Sequence, residues 1–113
     1  MSKPSGLRWI FVLVALLITS GVARADRVDD LIKQLRADDQ KVRLSAAINL
    51  GRSGDKRAIP PLIAVLKDRE KTVRGVAAGA LGKLVDGQTD ASLRTRAMNE
   101  LKNLAANDSD SLV

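Results

Sequence analysis

Apolar residues recur along the chain with a helical period. Val28, Leu31, Ile32 and Leu35 stand at i, i+3, i+4 and i+7, and so do Ile59, Leu62, Ile63 and Leu66. That spacing puts four side chains on one face of a helix. It predicts helices over about 27 to 37 and 60 to 67, the second opened by Pro60 and Pro61, whose missing amide protons cost nothing in a first turn. Behind each comes a polar turn, "ADDQK" or "DREKT", and then a second apolar-striped segment, predicting helices over about 40 to 52 and 70 to 85. Loops rich in glycine and charge, such as "GRSGDKRA" from Gly51 to Ala58, close the unit.

The two helix pairs are copies of one another at an offset of 31 residues. The shift carries Val28, Leu31, Ile32 and Leu35 onto the Ile59 set, and Val42, Arg43, Ala46, Ala47, Leu50, Gly51 and Asp55 onto Val73, Arg74, Ala77, Ala78, Leu81, Gly82 and Asp86. A fixed period of this size marks a stacked array of supersecondary units. The first helix of each unit is termed A and the second B. A third segment, Ala91 to Ala106, fits the second B helix at a shift of 20, which sets Leu93, Arg94, Ala97, Leu101 and Leu104 on Val73, Arg74, Ala77, Leu81 and Leu84. Its remaining positions are polar, as expected of a terminal helix that covers the last unit and shows its other side to water.

One B helix contains Gly75, Gly79 and Gly82. Together they weaken it by about 2 to 3 kcal/mol against alanine. Its apolar period nevertheless matches the earlier copy, so the segment reads as a helix. Gly82 recurs as Gly51, whereas Gly75 and Gly79 replace Leu44 and Ile48 on the side away from the core positions.

The first 25 residues read as an address. Lys3 and Arg8 precede an apolar run of eleven, "WIFVLVALLIT" from Trp9 to Thr19, and Ala23 and Ala25 supply small residues before an expected cleavage after Ala25. Eleven apolar residues fall short of the roughly 20 a membrane-crossing helix needs. A secretory signal peptide is therefore the expectation, with an uncleaved anchor and a membrane-tethered domain as the alternative. The boundaries are 1–25 for the signal, 26–106 for one small helical repeat domain and 107–113 for a frayed tail. The mature part retains sixteen basic and thirteen acidic residues, a net charge of +3 spread along the chain. It lacks the clustered basic stripe of a nucleic-acid surface. With the signal removed no membrane contact is expected, and the location is the periplasm or the cell exterior.

The stretch Ser53 to Leu84, "SGDKRAIPPLIAVLKDREKTVRGVAAGALGKL", resembles the short bacterial HEAT repeat of the type also found in phycobilisome lyases. Gly54, Asp55, Ala58, Pro60, Leu62, Leu66, Val73, Arg74, Ala77, Leu81 and Gly82 stand at that family's usual places, with a degenerate unit before them and half a unit after. The resemblance implies an all-α fold, a short right-handed α-solenoid of about two and a half helix pairs. It also implies a use in binding other proteins, with the B helices lining the inner surface. Two and a half units lie near the lower limit for an independent array, which favours self-association through an open end.

Arginine recurs in the B helices as Arg43 and Arg74 and, at the shift of 20, Arg94. On a helix Arg43 points along the apolar side, so its guanidinium needs a partner. As a structural ladder the three arginines would donate to aspartates or loop carbonyls, with the recurring Asp55 and Asp86 as natural acceptors; as a functional one they would bind an anion. On the opposite side Leu44 and Ile48 in one copy and Gly75 and Gly79 in the next mark either a groove for a partner's helix or extended segment, or merely isolated surface residues.

Catalysis finds little material. Histidine, cysteine and tyrosine are absent, which removes the usual nucleophile, its base and the soft metal ligands. The pairs Asp29–Asp30 and Asp38–Asp39 read as solvated or capping residues, and "NDSDS" lacks the glycine and distant glutamate of a calcium loop. No metal, cofactor or enzyme activity is expected. A chromophore-lyase-like accessory role rests on the family name alone. Trp9 and Phe11 both lie in the signal, so the mature part has no aromatic platform for bases or sugars. The expected partner is another protein.

Overall fold

The computed structural model describes residues 26–108. The expected signal and the last five residues of the expected tail lie outside them. Among the described residues the chain is all helical. Helix α1 covers residues 26–34, α2 Gln40–Ser53, α3 Ile59–Val65, α4 Lys71–Leu84 and α5 Ala91–Asn107, with a 3-10 turn at Lys56–Ala58 leading into α3. No described helix is long and apolar enough to cross a membrane.

Local chemistry sets the boundaries. The Asp39 carboxylate accepts from the Lys41 amide at 2.8 Å and starts α2, and Gly54, at a φ of 70°, stops it in the left-handed conformation that glycine adopts freely. Asp55 caps the 3-10 turn through the Arg57 amide, and Asp90 accepts from the amides of Ser92 and Leu93 at the start of α5. The A–B turn after α3 tightens through i to i−3 bonds at Leu66, Lys67 and Asp68, and the Asp68 carboxylate then accepts from the Glu70 amide at 2.9 Å.

The core is aliphatic. Val28 and Leu35 of the first A segment, Leu50 of α2, Ile59 and Leu62 of α3, Val73, Leu81 and Leu84 of α4 and Ala97 of α5 are all buried in it. Helix α4 packs along both α2 and α3, so the second B helix lies between the first B helix and the second A helix. The approach of α2 to α4 is close because Gly51 has no side chain: a Cβ there would lie 3.0 Å from the Ala80 Cβ.

The third segment departs from expectation. Helix α5 packs on α3 and occupies an A place, not a B place. The offset of 31 in fact continues into it, since buried Thr89 falls on buried Ala58, Leu93 on Leu62 and buried Ala97 on Leu66. It then runs on for ten residues, because Leu93, Ala97, Leu101 and Leu104 keep one helical phase through the point where α3 gives way to its turn. The helix also reaches Asn107, with Asp108 as its C-cap, so the first two residues of the expected frayed tail are the end of α5 and its cap.

Candidate functional site

The most deeply built polar feature centres on Arg43, the fourth residue of α2. Helical side chains lean toward the N-terminus, which aims this guanidinium at the A–B turns. Its Nη1 donates to the carbonyls of Ala37 at 2.8 Å and Asp38 at 2.9 Å. Nε and Nη2 form a fork onto the Asp68 carboxylate at 2.8 and 3.1 Å. The two side chains are only 4% and 9% exposed. Arg43 therefore staples the turn of its own unit to the turn of the next. Burial pushes the Asp68 carboxyl up and is the largest single influence on it. The Arg43 hydrogen bonds, the Glu70 amide and the charges of Arg43 and Arg69 together outweigh burial and hold Asp68 below the ordinary carboxylate range.

Arg74 repeats the arrangement one unit on, more loosely. Its Nη1 donates to the Asp68 carbonyl at 2.8 Å, and Nε and Nη2 reach the Asp108 carboxylate at 3.0 and 3.3 Å. These side chains are 20% and 26% exposed. Asp108, at the end of α5, thus serves Arg74 as Asp68, beyond the end of α3, serves Arg43.

Two expected members of the ladder fall elsewhere. Arg94 lies in an A-place helix, where its Nη1 donates to the Gly87 carbonyl at 3.5 Å. The acceptors are not Asp55 and Asp86. Both follow the C-terminal ends of their B helices, about 18 Å along the axis from arginines near the N-terminal ends. Asp55 pairs instead with Arg57 at 2.7 Å and Asp86 with Lys56 at 2.9 Å, a link that joins the two B–A loops. The Arg57 and Lys56 hydrogen bonds, respectively, are the main causes that hold these two carboxyls below their usual range. Asp68 and Asp108 were not singled out from sequence, because neither recurs at the offset of 31. The backward lean of a helical side chain was the available signal.

The four residues of the expected groove do not share one depression. Leu44 is half-buried against the core, and Ile48 is 37% exposed. Gly75 and Gly79 are exposed, and a side chain at either would enter open space beyond its own helix turn. Gly75 lines a cleft of about 290 Å³ between α4 and α5, with Lys71 and Ala78 on one wall and Leu101, Leu104, Ala105 and Asp108 on the other. Leu44, Ile48 and Gly79 lie outside it. At the other end of the array a depression of about 550 Å³ between α1 and α2 is edged by Arg27, Asn49, Arg52 and Asp55.

Among the described residues no three acidic, histidine or cysteine side chains converge on a metal position, and every buried side-chain polar atom has a partner. Thr89, the other buried polar residue, accepts from the Asp86 amide at 3.0 Å and donates to its carboxylate.

The family model for HEAT repeats matches residues 28–113. No curated protein matches the chain.

Proposed function

Since the chain belongs to the HEAT-repeat family, we propose that it is an exported, non-catalytic module that binds or assembles other proteins. HEAT repeats commonly serve as protein-interaction modules, and the family match over residues 28–113 is the observation that carries this reading. The exposed side of the B helices, from Leu44 and Ile48 on α2 to Gly75 and Gly79 on α4, is the proposed contact surface. The periplasm or cell exterior is the proposed location, supported by the basic start, apolar run and small residues of positions 1–25.

Two measurements test the proposal. The mass of the exported protein should correspond to a chain beginning at Asp26; a chain retaining Met1 to Ala25 refutes cleavage and leaves a membrane-tethered domain. Affinity capture from periplasmic extract should recover a defined partner that an Ile48→Glu, Gly79→Glu double variant loses. Equal recovery by both proteins removes that face from the interface, and no recovery by the native chain removes the binding role.

A further inference from the structure

The internal repeat shows what belongs in the cleft between α4 and α5. Helix α4 lies between α2, the B helix before it, and α3, the A helix of its own unit. Moving one unit along, α4 takes the part of α2 and α5 the part of α3, so the cleft between them is the seat of one further B helix. The burial of equivalent residues says the same. Ala47 and Gly51 of α2 are buried, whereas Ala78 and Gly82, their counterparts on α4, are half-buried and exposed. A Cβ on Gly51 would meet Ala80, and one on Gly82 would meet nothing within 4 Å.

Among the described residues no helix face is left over for that seat. The aliphatic face of α4 is already packed on α2 and α3. At the other end of the array, α2 carries exposed Ser45 and Asn49 where α4 carries Val76 and buried Ala80. Stacking a second copy head to tail would also drive its first A helix into the place that α5 holds. Room remains for one helix alone.

We propose that the α4–α5 cleft receives a single amphipathic helix presented by a partner protein. This rests on the interaction-module reading and adds a second contact site, which shares only Gly75 with the exposed B-helix face. The helix runs parallel to α4, as successive B helices do, and presents aliphatic residues at the spacing of Val73, Val76, Ala77, Ala80 and Leu81. Where it crosses Gly75 it carries a larger side chain than α4 sets against α2, since Gly75 leaves empty the volume that Leu44 fills.

The probe is a labelled synthetic peptide of residues 71–84 carrying Gly75→Ala, Gly79→Ala and Gly82→Ala, changes that raise helicity and lie off the aliphatic face. Fluorescence anisotropy with the exported chain should show saturable binding. Ala78→Arg and, independently, Leu104→Arg should weaken it by about tenfold or more, and Asn49→Arg at the far end by less than about twofold, with far-UV circular dichroism verifying each fold. No saturation with the native chain, or equal binding by Ala78→Arg and Leu104→Arg, overturns the proposal. Sedimentation that finds a dimer dissolved by Ala78→Arg also overturns it, by giving the cleft to a second copy. A captured partner that Ala78→Arg retains would overturn the cleft while leaving the interaction role in place.

Discussion

Replacing Arg43 by alanine deletes four hydrogen bonds of 2.8 to 3.1 Å. It also strands the Asp68 carboxylate, which is 9% exposed, and leaves the carbonyls of Ala37 and Asp38 without this donor. Removing one partner of a buried ion pair costs about 3 to 5 kcal/mol, mostly because the remaining charge stays desolvated. Asp68 keeps the Glu70 amide and the nearby Arg69 charge, so the lower end, about 3 kcal/mol, applies here. In a domain of this size each kcal/mol lowers Tm by about 4 to 8 °C, which makes the expected loss about 12 to 24 °C. Far-UV circular dichroism of residues 26–113 reads it, because that stretch contains no tryptophan or tyrosine. Arg74→Ala opens a pair that is 20% and 26% exposed and should cost about 1 kcal/mol, so its Tm should fall clearly less. An Arg43→Ala protein that melts within about 4 °C of the native one, or below which Arg74→Ala falls, would refute the view that this staple holds the units together.

The same carboxylate predicts a pH dependence. Asp68 is held below its unfolded value of about 3.9, so its contribution is complete above that pH and disappears as pH falls through the lower folded value. Tm should therefore drop as pH falls below about 4, and less steeply in Asp68→Asn; identical slopes would locate the acid sensitivity elsewhere. Two equivalent glycines should respond with opposite sign. Gly51→Ala places a methyl 3.0 Å from Ala80 and should destabilise by about 1 to 2 kcal/mol, whereas Gly82→Ala meets nothing and should stabilise by up to about 1 kcal/mol. Equal shifts in a denaturant titration would contradict the close approach of α2 to α4. Gly79→Ala should behave as Gly82→Ala does, because its Cβ also enters open space.

How far the sequence could be read depends on the range of the interaction concerned. Helix positions followed from the period of Val28 to Leu35 and Ile59 to Leu66, because burying one face fixes side-chain phase locally. The capping role open to Asp39 followed the same local logic, a carboxylate reaching an amide two residues on. The need of Arg43 for a partner was also legible, since a guanidinium among apolar neighbours cannot remain unpaired. Its partner was not legible: Asp68 lies 25 residues away and has no counterpart at the repeat offset.

The sequence by itself therefore determined an all-helical repeat, the phase of each helix and the unit length of 31 residues. All of these are written in spacings shorter than one unit or in their recurrence. Only the tertiary structure decided that α5 takes an A place, because an amphipathic period marks a face to bury without saying which neighbour buries it; the shifts of 20 and 31 both satisfy Leu93 and Ala97. It also separated Gly51 from Gly82, which the repeat makes equivalent. One lies against Ala80 and the other faces open space, since a translational array presents every unit with the same surface and covers it only where a next helix follows.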